Sequence, residues 1–221
     1  MVLGLRGQFK NVHLGLVKES SMRVRTDEKR DAILAVAKDV FREDGYERAS
    51  MAMISARVGG SKATLYSYFK SKDELFAAAM TEAMEAQGDE MIRGLDPENP
   101  DLAAVLTRFG RAYLRLLTSP DALAIMRVAV SEGSNSSLGG DLYARGPGRG
   151  LDMVTLYMTE LIGKGVIRQC NPRIAAAHLL QMMEAGIVQP QLFGAPIEMD
   201  EEEVIGTTVE AFIRAYGTPR G

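Results

Sequence analysis

At 221 residues the chain has room for one large domain, or for a small domain joined to a larger one. Apolar residues make up 46% and charged residues 25%, a balance that excludes a disordered chain. No run approaches the roughly 20 unbroken apolar residues of a membrane-crossing helix. A single cysteine, Cys170, excludes an internal disulfide and fits a reducing compartment. The opening MVLGLRGQFKNVHLGLVKESS is interrupted by Arg6, Lys10, Asn11 and His13 and leads to no cleavage site, so it does not read as a signal peptide, and cytoplasm is the default location. Net charge is −3, unevenly spread: residues 1–72 hold 14 Lys and Arg against 8 Asp and Glu, and residues 73–221 hold 12 against 21. A basic front is what an approach to phosphates requires, although chance variation in solvated charge produces the same numbers.

Strand signals are scarce and helical periodicity recurs almost everywhere. From Thr26, a candidate N-cap, Ile33, Leu34, Ala37, Val40 and Phe41 share one helical face, and Gly45 suits the residue that ends the helix. Ser50 can cap a short helix whose inward face is Met51, Ile54 and Val58, and which stops at Gly59-Gly60. Ser61 can cap the next, with Leu65 and Phe69 on one side. Ser71 and Glu74 form a capping box opening a longer helix to about Gln87. After the break at GLDPENP, an amphipathic helix carries Leu102, Val105, Leu106, Phe109, Tyr113, Leu116 and Leu117, and another follows Ser119-Pro120. The glycine-rich GSNSSLGGDLYARGPGRG reads as a loop with one turn of helix around Leu142. Helices are then expected over Leu151–Lys164, Pro172–Phe193 and Glu201–Tyr216. The fold expected is all-α with about nine helices: an extension over 1–25, a small three-helix domain over 26–72, and a larger helical domain over 73–221.

The segment Ser50–Lys72 has the form of a helix-turn-helix, in which the second of two short helices enters the major groove. Lys62, Ala63, Thr64, Ser67 and Tyr68 fall mostly on the side away from Leu65 and Phe69, where small or polar groups permit close approach to base edges. Tyr66, Tyr68, Lys70 and Lys72, with Ser50 at the preceding helix start, offer hydroxyl, ammonium and helix-N-terminal contacts to phosphate. Against this, Phe69 reads as core, and Tyr66 and Tyr68 as partly buried.

The stretch GYERASMAMISARVGGSKATLYSYFKSKDELF, Gly45 to Phe76, resembles the TetR/AcrR family of transcriptional regulators, a resemblance that extends back to Thr26. AIMRVAVSE and LYARGPGR look like one of its ligand-domain subgroups. The resemblance implies a homodimer whose last two helices form a four-helix bundle with the partner's, a ligand cavity between the middle helices, and repression of double-stranded operator DNA relieved by a small molecule. It also implies that Lys62, Thr64, Ser67 and Tyr68 lie at or near DNA, with Ser50, Tyr66 and Lys72 on phosphates. Two positions depart from the pattern: Ala49 replaces a usual threonine, and Gly60 replaces an apolar residue that packs under the turn.

Rival classes find little support. His178 and Glu184, six apart, do not share a helix face, Cys170 has no base at a telling spacing, and GPGRG at 146–150 does not match a dinucleotide loop. No enzyme activity, cofactor or metal is expected, and a helical adaptor that does not bind DNA would leave the reading helix unexplained. Met126, Met153 and Met182 lie on helices that should surround a cavity, and with Phe109, Tyr113, Tyr157 and His178 they are the candidate ligand contacts; plain core is the competing reading for the methionines, and surface exposure for His178. The dimer is expected through residues 172–216, with Phe212 on the stripe Val204, Ile205, Thr208, Phe212, Ile213. Residues 1–25 read either as a basic arm near DNA or as sequence preceding a true start at Met22.

Overall fold

A computed structural model describes residues 8–218 of the chain, with side chains over 27–81 and 84–218. The described residues form eleven helices rather than nine, and the one element of β pairing among them is an isolated antiparallel bridge between Ile167 and Gly217. The chain divides into two compact units, one ending at Ala79 and one starting at Met80. No helix among the described residues is long and apolar enough to cross a membrane.

The first unit contains α1 (Gln8–Arg48), α2 (Met51–Val58), α3 (Lys62–Tyr68) and the start of α4 (Lys72–Arg93). Thr26 does not start a helix; α1 runs through it. Neither glycine nor proline occurs between Leu16 and Asp44, so nothing interrupts the helix there, and a residue able to cap does not by itself break one. The basic-arm reading of residues 1–25 rests on side chains outside the described residues. Gly45 bends the end of α1 with a φ of 77°, in the region open to glycine. Ile33, Leu34, Ala37, Val40 and Phe41 are buried as their spacing predicts, and Phe76 meets Phe41 and Tyr46 edge-on, with ring centroids 4.9 and 5.0 Å apart. Helix α4 outlasts its expected end at Gln87 by more than a turn.

The second unit continues α4 and adds α5 (Leu102–Leu117), α6 (Pro120–Glu132), α7 (Leu138–Tyr143), α8 (Arg149–Gly163), α9 (Pro172–Glu184), α10 (Val188–Leu192) and α11 (Glu201–Tyr216). Two expectations fail here. The glycine-rich stretch is a loop only over 133–137; the helix expected around Leu142 is present as α7, but it does not stop, and with a π-helical turn over Ala144–Gly148 it runs directly into α8. Gly139 serves close packing rather than a turn, since a Cβ there would lie 2.5 Å from the Ala129 carbonyl oxygen and 2.8 Å from Gly133 Cα, at the C-terminal end of α6. Leu138 and Leu142, either side of it, are buried. The second failure is the single helix expected over Pro172–Phe193. It breaks at Gly186, whose φ of 75° ends α9 before α10 begins.

The core of this unit joins Leu106, Phe109 and Leu114 of α5 to Val154, Met158 and Leu161 of α8, Leu179 and Met183 of α9, and Ile205 and Phe212 of α11. Gly110 lets α5 approach closely: a Cβ would lie 2.9 Å from Met183 Sδ and 3.2 Å from Ile205 Cγ2. Phe212 is fully buried and stacks on Tyr216 at 4.8 Å. The expectation that Phe212 faces a partner chain is therefore corrected. The stripe Ile205, Thr208, Phe212 is the face that α11 turns to its own core.

Candidate nucleic-acid interface and ligand cleft

Local chemistry builds the reading head from its turns. The Ser50 hydroxyl accepts from the Met53 amide at 3.2 Å and caps α2, and the Ser61 hydroxyl accepts from the Thr64 amide at 3.1 Å and caps α3. Between them Gly59 takes a left-handed conformation, φ 74° and ψ 32°, and its amide donates to Ala56 and Ser55 carbonyls. The buried Ser55 hydroxyl then donates to the Gly60 carbonyl at 2.9 Å, tying the turn from beneath. Gly60 itself leaves room: a Cβ there would meet nothing within 4 Å, and a notch of about 10 Å3 lies among Ile33, Ser55, Val58, Thr64 and Leu65. A capping arrangement opens α4, where Ser71 accepts from the Glu74 amide at 3.0 Å. The Glu74 carboxylate accepts from the Lys70 amide at 2.7 Å rather than from Ser71, so the reciprocal half of the box is shifted by one residue.

Helix α3 is fixed on one side by Leu65 and, just beyond it, Phe69, both 3% exposed. Lys62, Ala63, Tyr66 and Ser67 are exposed on the other side, with Thr64 and Tyr68 half-buried. Two of the expected base-contacting hydroxyls are engaged within the helix: Thr64 Oγ1 lies 2.9 Å from Ser61 Oγ, and Ser67 Oγ donates to the Thr64 carbonyl at 2.6 Å. Ser67 keeps its lone pairs free to accept, since only its proton is committed. Lys72 is less free than its sequence position implies. Its ammonium donates to the Tyr46 carbonyl at 2.9 Å and sits 4.1 Å from the Tyr46 ring centroid, while the Tyr46 hydroxyl donates to Asp73 at 2.5 Å. This Tyr46–Lys72–Asp73 joint was not foreseen from the sequence, because its partners lie 26 and 27 residues apart. Arg57 and Glu43 form a two-bond pair between α2 and α1, at 2.5 and 2.8 Å, and the Arg57 hydrogen bond holds the Glu43 carboxyl below its ordinary range.

In the second unit the seven candidate ligand contacts separate. Phe109 and Tyr157 lie in the core; Tyr113, Met126 and Met182 pack against it half-buried. Met153 is half-buried outside that cluster, and His178 is exposed with Nδ1 2.7 Å from the Tyr216 hydroxyl. Phe109 and Tyr113 stack at 5.5 Å, and the Tyr113 hydroxyl donates to Glu184 at 2.5 Å. Burial raises the Glu184 carboxyl above its ordinary range against the opposing pull of that hydrogen bond, and burial with the Glu184 charge raises Tyr113. Burial, with the charge of Asp96, pushes Tyr157 up to about 12.

An open cleft of about 460 Å3 lies between the C-terminal half of α4 and α5. Met91, Phe109 and Leu116 form its apolar floor, and Gln87, Glu90, Arg108 and Arg115 stand at its rim. Of the seven expected contacts only Phe109 borders it. The sequence signal for the rest is a helical one: Arg108, Ala112 and Arg115 fall at i, i+4 and i+7 on α5, opposite Gln87 and Met91 on α4 and Gly94 just past its end, at the same spacing. No group of His, Cys, Asp or Glu among the described residues is arranged to hold a metal ion.

Residues 33–79 match the model for bacterial regulatory proteins of the tetR family, and residues 104–218, over half of the chain, match the AefR-like transcriptional repressor C-terminal domain. The chain belongs to the TetR family. It is a DNA-binding transcriptional regulator and not an enzyme, and its C-terminal unit is of the ligand-binding kind. The HTH-type transcriptional activator FasR of Mycolicibacterium smegmatis is 43% identical over 58 residues, 26% of each chain, so the match spans about a quarter of that relative. Among solved structures, a TetR-family regulator from Mesorhizobium loti MAFF303099 superposes with a TM-score of 0.78 at 24% identity, covering 88% of this chain and 99% of that one. The flavonoid-responsive regulator FrrA superposes with a TM-score of 0.69 at 26% identity, covering 88% of this chain and 100% of its own.

Proposed function

We propose that this TetR-family protein is a homodimeric repressor that binds a pseudo-palindromic operator and leaves it when a small, largely apolar molecule binds the unit beyond Met80. The observation that carries the reading is the exposed face of α3: Lys62, Ala63, Tyr66 and Ser67 point outward from a helix anchored by Leu65 and Phe69. Lys62, Ala63, Thr64, Ser67 and Tyr68 read base edges, and Ser50, Tyr66 and Lys72 contact phosphates. Two such helices related by a two-fold axis require inverted half-sites about one helical turn apart.

The dimer forms through residues 172–216, by the faces that α9 and α11 turn away from their own core. On α9 these are Ile174, His178 and Gln181; on α11 they are Gly206, Thr207, Glu210 and Ala211. Ile174, 52% exposed, supplies the largest apolar group, and the small residues of α11 permit close helix approach. The effector belongs at α5, where Phe109 is shared by the candidate set (Phe109, Tyr113, Met126, Met153, Tyr157, His178, Met182) and the open cleft. Helix α4 starts beside the reading helix in sequence and ends as one wall of that cleft, so it is the natural carrier of the signal. A 100-fold loss of operator affinity requires about 2.8 kcal/mol of differential ligand binding between the two forms. FrrA, whose name makes it flavonoid-responsive, supports a small organic effector.

Footprinting on the DNA upstream of the protein's own gene, with sedimentation of the complex, tests the reading. A protected pseudo-palindrome bound by one dimer, weakening steeply with salt, is expected. A single asymmetric half-site bound by a monomer would overturn it. Adding candidate effectors to the same complex separates release from activation.

A further inference from the structure

We infer that the cleft between α4 and α5 is a site for an amphipathic organic anion: a carboxylate, sulfonate or acidic phenol carried on an apolar ring or short chain. The unit beyond Met80 is acidic overall, because residues 80–221 hold 19 Asp and Glu against 12 Lys and Arg. Four of the ten described arginines of this unit are held by a carboxylate. Arg111 on α5 is held by Glu202 through three contacts of 2.6 to 3.0 Å, Arg149 by Asp89 at 2.6 Å, and Arg173 by Asp152 at 2.5 Å. Arg108 and Arg115 flank Arg111 in sequence, yet neither has an ion pair or hydrogen bond among the described residues. Both stand at the rim of a cleft floored by Met91, Phe109 and Leu116.

The spacing fits one ligand. Seven helical residues separate the two arginines by about 10 Å along the axis, so their planar forks can close on one anionic group from two sides or grip both ends of a short molecule. Ala112, midway between them, leaves the floor open. Gln87 adds a neutral donor and acceptor. Glu90 is the one opposing charge at the rim, leaving the rim at +1, which favours an anion over a cation. A volume of about 460 Å3 lies within the roughly 300–1,000 Å3 of small-molecule sites, which favours a compact ligand over a peptide chain. The inference rests on the effector reading above only for its consequence at the operator; binding stands by itself.

Two fluorescent probes that differ by one sulfonate decide the matter: 1-anilinonaphthalene-8-sulfonate and N-phenyl-1-naphthylamine, each titrated against the full chain at low salt. The anionic probe should bind one per protomer and about tenfold more tightly than the neutral one, the size expected for two solvent-exposed charge contacts. The double variant Arg108→Gln/Arg115→Gln should abolish that preference while leaving the neutral probe unchanged. Arg111→Gln, on the arm already paired with Glu202, should alter neither. Equal binding of the two probes by the native chain, or a preference that survives in the double variant, would overturn the inference. So would displacement of the anionic probe by a polyglutamate peptide but not by naphthalene-2-carboxylate. Operator gel shifts with the same probes keep the two readings apart. A charge preference seen in binding with operator affinity untouched sustains this site and sinks the effector role; release by both probes alike sustains the effector role and sinks this site.

Discussion

Adjacent glycines in the turn of the reading head should respond to alanine in opposite directions. Gly59 has φ 74°, where an L-residue costs roughly 1–2 kcal/mol. Gly60 lies outside that left-handed region, and a Cβ on it meets nothing within 4 Å. Alanine at Gly60 therefore adds no clash and removes freedom from the unfolded chain, a stabilisation of about 0.4–1 kcal/mol. The bonds through Ser55 use only backbone atoms of residue 60 and survive. Gly60→Ala should slow amide exchange in α2 and α3 of the DNA-free protein by about two- to fivefold, and Gly59→Ala should speed it by about fivefold or more. If both variants destabilise alike, the backbone at Gly60 needs glycine after all, and the account of the turn is wrong.

Other outcomes follow from the same geometry. Ser67→Ala should change the base preferred at one position of each half-site, at a cost of about 1–3 kcal/mol there if the contact is direct; selection from a randomised operator reads this out. Lys72→Ala should weaken all sequences about equally and reduce the salt slope by about one per half-site, although loss of its bond to the Tyr46 carbonyl makes a thermal melt the necessary control. Ile174→Glu or Ala211→Glu should yield folded monomers in sedimentation, whereas Phe212→Glu should unfold the unit, because Phe212 has no exposed surface. Glu184→Gln should raise the melting temperature at neutral pH. Burial raises the folded-state carboxyl, so the native protein gains stability below the ordinary carboxylate range and loses it as pH rises through the raised value. The advantage of the variant should accordingly shrink as pH falls toward 4.5, and a constant advantage would refute the burial argument.

What could be read from the sequence was mostly short-range. Ser50, Ser61, Ser71 and Ser119 all cap helices, because a cap depends on residues three positions away. Leu65 and Phe69 went to the core for the same reason. The start placed at Thr26 failed locally, since a residue able to cap does not stop a helix that nothing else interrupts; other errors arose where distant chain decides. Gly139 looked like a loop residue until the backbone of α6 was found against it, and Phe212 looked available to a partner until α5 and α9 were found covering it. The cleft was legible only as a spacing of arginines along α5, whose meaning depends on α4 lying alongside.

Close packing at Gly110 also makes Met183 a clock. A peroxide oxygen added to a thioether needs space at the sulfur, and Met183 is fully buried with its sulfur against α5. Met53, 41% exposed, should oxidise without waiting for any opening, while Met183 should wait for α5 and α9 to part. The ratio of the two sulfoxide rates, followed by mass spectrometry of peptides, then measures how often this helix junction opens, with no label introduced and no residue changed.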